Sequence, residues 1–193
     1  MVRLAILGWI AVSCQGTTST KMGKGITVRY EEKSTLQQRA REIRENTALK
    51  IADGLKVELW ATDSLIADPI GLHVDEQGNV YYNRTNRTKT AEFDIRGHRN
   101  WMTQSISWQT VEDRRNFIRT TFSPEKSDEN SWLPDHNNDG SHDWRDLTVH
   151  KEEVWKVMDT DGDGIADKSM LVIRDFHDEI TDVAHGVLVR AKD

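Results

Sequence analysis

Two aspartate-rich loops in the C-terminal half set the tightest limits on how this chain can fold. The first runs Asp135-His136-Asn137-Asn138-Asp139-Gly140-Ser141-His142-Asp143-Trp144-Arg145-Asp146, and the second runs Asp159-Thr160-Asp161-Gly162-Asp163-Gly164-Ile165-Ala166-Asp167-Lys168-Ser169-Met170. In both, oxygen-bearing side chains fall at loop positions 1, 3, 5 and 9, with glycine at position 6, where the backbone must turn sharply. A hard cation such as calcium takes six to eight oxygens, mostly carboxylate, with one from the position-7 backbone carbonyl. The candidate ligands are Asp135, Asn137, Asp139, Ser141, Asp143 and Asp146 in the loop at 135–146. In the loop at 159–170 they are Asp159, Asp161, Asp163, Ile165 and Asp167. Asp146 stands at position 12, where an EF-hand has glutamate; it is shorter and usually gives one oxygen, as in dockerin-type loops. Met170 gives none, so the second loop needs its last ligand from elsewhere or from water. A lone acidic turn needs no ion, since Asn, Asp and Gly favour turns anyway. Two full alternations so close together favour calcium, as a structural clip rather than a sensor, because no paired amphipathic helices flank them.

A chain of 193 residues is long enough for one domain of ordinary size. Its hydrophobic fraction of 36% supports a core, and its mean hydropathy of −0.68 makes that core a polar one. The net charge of −6 and the lack of a basic stripe argue against a nucleic-acid partner. Trp9, Trp60, Trp101, Trp108, Trp132, Trp144 and Trp155 read as core or sheet-packing residues. A sugar-stacking platform is the alternative reading of some of them.

The N-terminus has the shape of an export signal: Met1-Val2-Arg3, then the apolar run Leu4 to Ser13, too short for a membrane-spanning helix. Ala11-Val12-Ser13-Cys14 resembles a bacterial lipobox, with Ala11 where leucine is more usual. The expected organisation is a lipoprotein-type signal peptide at 1–14, lipidation at Cys14, a polar tether at 15–33 and the folded portion at 34–193. Plain secretion, or a buried helix with an incidental cysteine, are the alternatives. Export to the cell envelope, periplasmic or extracellular, with a lipid anchor in the membrane is the localisation this implies. A single cysteine excludes an internal disulfide.

The pattern predicts a helix over 35–50, with Ser34 and Gln37 as a capping box and Leu36, Ala40 and Ile43 on one face. Strands are predicted at 55–61, 69–74 and 79–82, the last two joined by Asp75-Glu76-Gln77-Gly78, a turn that asks for positive φ at the glycine. A second helix is predicted over 111–121, capped by Thr110 with Asp113 three residues on. Strands follow at 153–158, 170–174 and 183–190.

Gly54-Leu-Lys-Val-Glu-Leu-Trp-Ala61, Ile66-Ala-Asp-Pro-Ile-Gly-Leu72 and Asp75-Glu-Gln-Gly-Asn-Val-Tyr81 resemble the opening blade of a bacterial family of large haem-binding β-propellers. Its members are often labelled membrane-bound dehydrogenases and are distantly similar to soluble quinoprotein glucose or sorbosone dehydrogenases. Glu92–His98, Gln109–Arg115, Val154–Lys168 and Glu179–Val187 extend the likeness, from about residue 50 onward. The resemblance implies a mainly β fold with two or three helices, a partial (incomplete) β-propeller carrying calcium-loop insertions. A propeller typically has four to eight blades, and the chain after Gly54 has material for about two. The expectation is an N-terminal part of a larger propeller, whose partners are the remaining blades or another protein.

Quinoprotein relatives use a histidine base, arginines on the quinone and calcium on a quinone oxygen, so the resemblance implies His185 and His98 as catalytic candidates. Each is otherwise a structural or surface histidine. Quinone is expected only in a complete propeller. The chain has no C-x-x-C-H haem attachment site, G-x-S-x-G, H-E-x-x-H, P-loop or G-x-G-x-x-G. The reading is a calcium-binding envelope protein with a structural or binding role and no self-contained catalytic site. The alternative is the opening part of a sugar or alcohol dehydrogenase, or haem-binding oxidoreductase, that needs further blades. A dockerin-like module is weakened because a strand, not a helix, is predicted after the first loop.

Overall fold

Six short segments, none longer than eight residues, build one antiparallel sheet among the described residues. The computed structural model describes residues 19–23, 26–88, 91–92 and 95–190. Its strands are β1 (Ser19–Gly23), β2 (Ile26–Tyr30), β3 (Pro69–Val74), β4 (Val80–Arg84), β5 (Glu152–Met158) and β6 (Lys168–Asp175). They lie in the order β1-β2-β6-β5-β4-β3, every neighbouring pair antiparallel. Three α-helices accompany them, α1 (Lys33–Asn46), α2 (Met102–Ile106) and α3 (Val111–Thr121). One open sheet with three helices is consistent with the mainly β expectation.

Local chemistry explains the elements that form where predicted. In the β3–β4 turn, one Asp75 carboxylate oxygen accepts from the N–H groups of Gln77 (3.0 Å) and Asn79 (2.9 Å). Gly78 supplies the left-handed φ of 81° that closes the turn. α3 starts on a complete capping box: Asp113 N–H donates to the Thr110 hydroxyl (3.1 Å), and Thr110 N–H donates back to the Asp113 carboxylate (2.8 Å).

Two hydrophobic clusters fill the interior. Tyr82 of β4, Trp155 and Val157 of β5, and Leu36 of α1 pack with Leu65 and Ala166, with Trp60 and Ile165 at the margin. The second cluster joins Phe117 and Ile118 of α3 to Phe122, Leu133 and Leu147, flanked by Trp101, Trp108 and Trp144. Trp101 meets Phe117 and Phe122 edge-on, with centroids 5.6 and 5.7 Å away. That geometry suits the ring quadrupoles.

Several elements depart from the sequence reading. Part of the stretch read as a tether at 15–33 forms the β1–β2 hairpin, with β2 laid against β6. α1 begins at Lys33 and ends by Thr47, with no side-chain cap at its start. The predicted Ser34/Gln37 box is therefore not what starts it. It stops where the Thr47 hydroxyl and the Asn46 amide donate to the carbonyls of Ile43 (2.6 Å) and Glu42 (2.7 Å), satisfying groups the next turn would have used. Residues 55–61 and 183–190 alternate as strands do, but neither joins a ladder. Leu55 stays 70% exposed, so its alternation has no sheet face to meet. The 183–190 stretch runs beside β3, where a Cβ on Gly71 would meet the His185 carbonyl at 2.8 Å. Position 71 has to be glycine for that approach.

A wholly buried arginine ties the sheet to the second cluster. Arg87, just past β4, is 0% exposed. Its Nη1 donates to the Thr181 carbonyl (2.8 Å) and hydroxyl (2.6 Å) and to the Phe176 carbonyl (3.2 Å). Nη2 donates to the carbonyls of Leu147 (2.9 Å), Ala91 (3.1 Å) and Asp178 (3.2 Å). Glu152, also 0% exposed, supplies the countercharge. Its carboxylate accepts from the N–H groups of Asn86, Arg87 and Ala184. Removing one member of such a set leaves a buried charge without compensation. Arg87→Met should therefore lower the unfolding free energy by about 3–5 kcal/mol, read from urea denaturation. Thr110→Ala on the α3 cap should cost only about 1 kcal/mol.

Candidate metal centre

The two acidic loops, unrelated in their flanking structure, adopt the same backbone. Positions 4 and 6 are left-handed in both: Asn138 (58°) and Gly140 (82°) in the first, Gly162 (74°) and Gly164 (88°) in the second. The internal hydrogen bonds also correspond. The position-1 carboxylate accepts from the position-6 N–H, Gly140 to Asp135 at 3.0 Å and Gly164 to Asp159 at 2.8 Å. The position-3 side chain accepts from the position-5 N–H, at 2.9 Å in the first loop and 3.2 Å in the second. The position-5 carboxylate accepts from the position-7 N–H, at 2.9 Å in both. One oxygen of each side chain at positions 3 and 5 is thus tied to the backbone.

The first loop is closed by Asp146, which is 0% exposed. One of its oxygens accepts from the N–H groups of His136 (2.7 Å) and Asn137 (3.2 Å), the other from Asp143 N–H (2.9 Å). Asp143, also 0% exposed, uses Oδ1 to accept from Arg145 N–H, while Oδ2 has no hydrogen-bond partner; nor does the buried hydroxyl of Ser141. The Arg145 guanidinium lies 3.3 Å from Asp139 and 3.4 Å from Asp143 Oδ2. Backbone hydrogen bonding, from Ser141 above all, holds the Asp139 carboxyl below its usual range. The loop is stitched to the second cluster through Trp144 N–H to Phe122 O (2.9 Å) and His142 Nδ1 to Leu133 O (2.6 Å).

In the second loop, carboxylate oxygens of Asp159, Asp161 and Asp163 all lie within 4.8 Å of one another, the one such group among the described residues. Asp167 is occupied by Thr160, accepting from its N–H (3.0 Å) and hydroxyl (2.5 Å). The Lys33 ammonium reaches in from the start of α1, 3.0 Å from Asp161 and 2.8 Å from Asp163. Those two hydrogen bonds, Asp163 first, raise the Lys33 pKa, and the same contact lowers that of Asp163. Ile165 and Ala166 anchor this loop in the first cluster, and Ala166 N–H donates to Trp60 O at 2.7 Å.

Asp159, Asp161 and Asp163 are thus brought together, whereas Asp167 stands outside that group and the carboxylates of Asp135, Asp139, Asp143 and Asp146 form no such group among the described residues. His98 stacks on Trp101 (4.1 Å between centroids) and touches Trp132 (4.4 Å). His185 lies on the segment beside β3, so the two histidines sit on different parts of the fold. Cys14 and the segment 1–14 lie outside the described residues. Sequence reasoning missed Arg145 and Lys33. Arg145 is visible in hindsight as a basic residue within the loop, at position 11. Lys33 has no local signal, because it reaches the loop only through the pairing of β2 with β6.

Compared with known proteins, the chain matches no family model, no curated protein and no solved structure.

Asp146 holds three loop N–H groups. Each buried donor left unsatisfied costs about 1–3 kcal/mol. Asp146→Ala should therefore destabilise the chain in chelator, measured by urea denaturation, and Asp146→Asn, which keeps one acceptor, should do so less.

Proposed function

We propose that this chain is an exported calcium-binding protein in which each acidic loop clips one hydrophobic cluster of a β-sheet domain, serving a structural or binding role. Asp143 carries the reading. Its carboxylate is fully buried and Oδ2 has no hydrogen-bond partner, only the Arg145 guanidinium at 3.4 Å; the buried Ser141 hydroxyl has no hydrogen-bond partner either. Burying a carboxylate with one oxygen short of a hydrogen bond is costly, and a divalent cation at the loop's centre is the partner that spacing and backbone suggest. The shared loop backbone extends the reading to the second site. With three or more carboxylates in each loop, these sites select a hard divalent ion over zinc or copper, which prefer nitrogen and sulfur.

β3, β4, β5 and β6 follow one another as a four-stranded antiparallel meander, the arrangement of one propeller blade. This supports reading the sheet as a blade of the propeller type that the sequence resembles. Lipidation at Cys14 and a membrane anchor in the cell envelope complete the proposal, supported by the lipobox-like Ala11-Val12-Ser13-Cys14. Among the described residues no helix is long and apolar enough to cross a membrane.

Calorimetric titration of the full chain with calcium should find two bound ions, and Asp143→Asn should abolish or weaken one. A site filled at a hundred times its Kd adds about 2.7 kcal/mol to stability. For a chain of this size, each kcal/mol raises Tm by roughly 2–4 °C. Two sites should therefore raise Tm on the order of 10–20 °C over the value in chelator. No heat of binding and no shift would overturn the calcium reading. Cys14→Ser should release the chain from the membrane fraction of the expressing bacterium.

A further inference from the structure

The second loop lacks the oxygen that Asp146 gives the first, since position 12 is Met170 on β6. The strand register brings another carboxylate to that loop. Val28 pairs with Met170, Arg29 with Ser169 and Tyr30 with Lys168. The ladder then runs one bond further, with Glu31 N–H donating to the carbonyl of Asp167, loop position 9, at 3.1 Å. Glu31 is therefore fixed against the loop by backbone pairing.

Its carboxylate is buried, with one ion-pair neighbour and no hydrogen-bond donor. Glu31 is 5% exposed, and neither of its carboxylate oxygens has a hydrogen-bond partner. Arg39 Nε, at 3.5 Å, is an ion-pair neighbour rather than a hydrogen-bond donor. Burial pushes the Glu31 carboxyl up, Arg39 brings it back only in part, and the nearby Asp63 carboxylate adds to the rise. Glu31 lines a cavity of about 200 Å³ together with Lys33, Asp161, Asp163 and Asp167. Lys33, two residues along, supplies one positive charge to a loop whose three clustered carboxylates carry three. Asp167 is already engaged by Thr160, so the loop's own side chains leave a coordination position to fill.

We propose that Glu31 supplies the carboxylate that the second loop lacks, and that Lys33 is a tethered cation holding Asp161 and Asp163 until calcium displaces it. This deepens the calcium reading above and rests on it. Ligand and displaced cation sit two residues apart on the junction between β2 and α1. Binding therefore draws Glu31 toward the loop and drives Lys33 out, so the junction changes its contacts with ion occupancy.

The test is calcium calorimetry on the full chain carrying Asp143→Asn, which isolates the second site, and on the same chain with Glu31→Gln or Lys33→Met added. Glu31→Gln should weaken the remaining site at least tenfold, and Lys33→Met should tighten it several-fold. In the otherwise native chain, Glu31→Gln should leave the first-loop affinity unchanged, whereas general damage to the fold would weaken both sites. Glutamine keeps the size of Glu31 and removes a buried charge, so the urea midpoint in chelator should hold or rise. Should Glu31→Gln fail to fold, the exposed Lys33→Met still decides the competition. An unchanged second site in Glu31→Gln overturns the ligand assignment, and an unchanged one in Lys33→Met overturns the competition, while the calcium reading stands in either case. No binding by the unsubstituted chain overturns the calcium reading, and this proposal with it.

Discussion

The buried guanidinium of Arg87 is the contact on which the remainder of the fold depends. A charge with no exposure to water loses several kcal/mol of hydration. It persists because five carbonyls and one hydroxyl surround it and because Glu152 lies close by. Those acceptors come from segments far apart in sequence: Ala91, Leu147, and the stretch from Phe176 to Thr181. Leu147 belongs to the second hydrophobic cluster, and Glu152 opens the central strand β5. The guanidinium thus fixes the two clusters to each other. None of the segments around it can move without leaving an acceptor or a charge unanswered.

That arrangement organises the acidic loops too. The first loop ends at Asp146, next to Leu147, whose carbonyl Arg87 holds. The second spans β5 and β6 and drops Ile165 and Ala166 into the sheet cluster. Each loop contacts one basic side chain, Arg145 or Lys33, which draws its carboxylates together with a single charge. A divalent ion supplies twice that charge and more oxygen contacts. Loop backbone, buried carboxylate and internal cation therefore all bear on the same small volume.

What the sequence made legible was local. The β3–β4 hairpin was marked by Asp75 and Gly78 and α3 by Thr110 and Asp113; these signals act within a few residues, and both elements form there. The failures were non-local. Residues 55–61 and 183–190 alternate as strands do, but alternation does not say whether an edge is free to pair. The β1–β2 hairpin lies in a stretch too polar to read as sheet, and it joins one only because β6 offers an edge. Arg87 looked like any charged loop residue, for nothing near it in sequence reports that six acceptors will converge there. Lys33 and Glu31 reach the second loop by the same indirect route.

The path of the chain between β4 and β5 bears on how the molecule assembles. The polypeptide leaves the sheet at Arg84 and returns at Glu152, two positions within the adjoining strand pair. The described residues between lie outside the ladder, including α2, α3, the aromatic cluster and the first acidic loop. Closing so wide an excursion costs chain entropy before any ladder bond repays it, and topologies built on such distant pairings are slow folders. The excursion has its own apolar interior, so it is the portion equipped to condense early and bring the two strands within reach. Pairing β4 with β5 closes that excursion, and the N-terminal hairpin can lie against β6 only where that strand is in place.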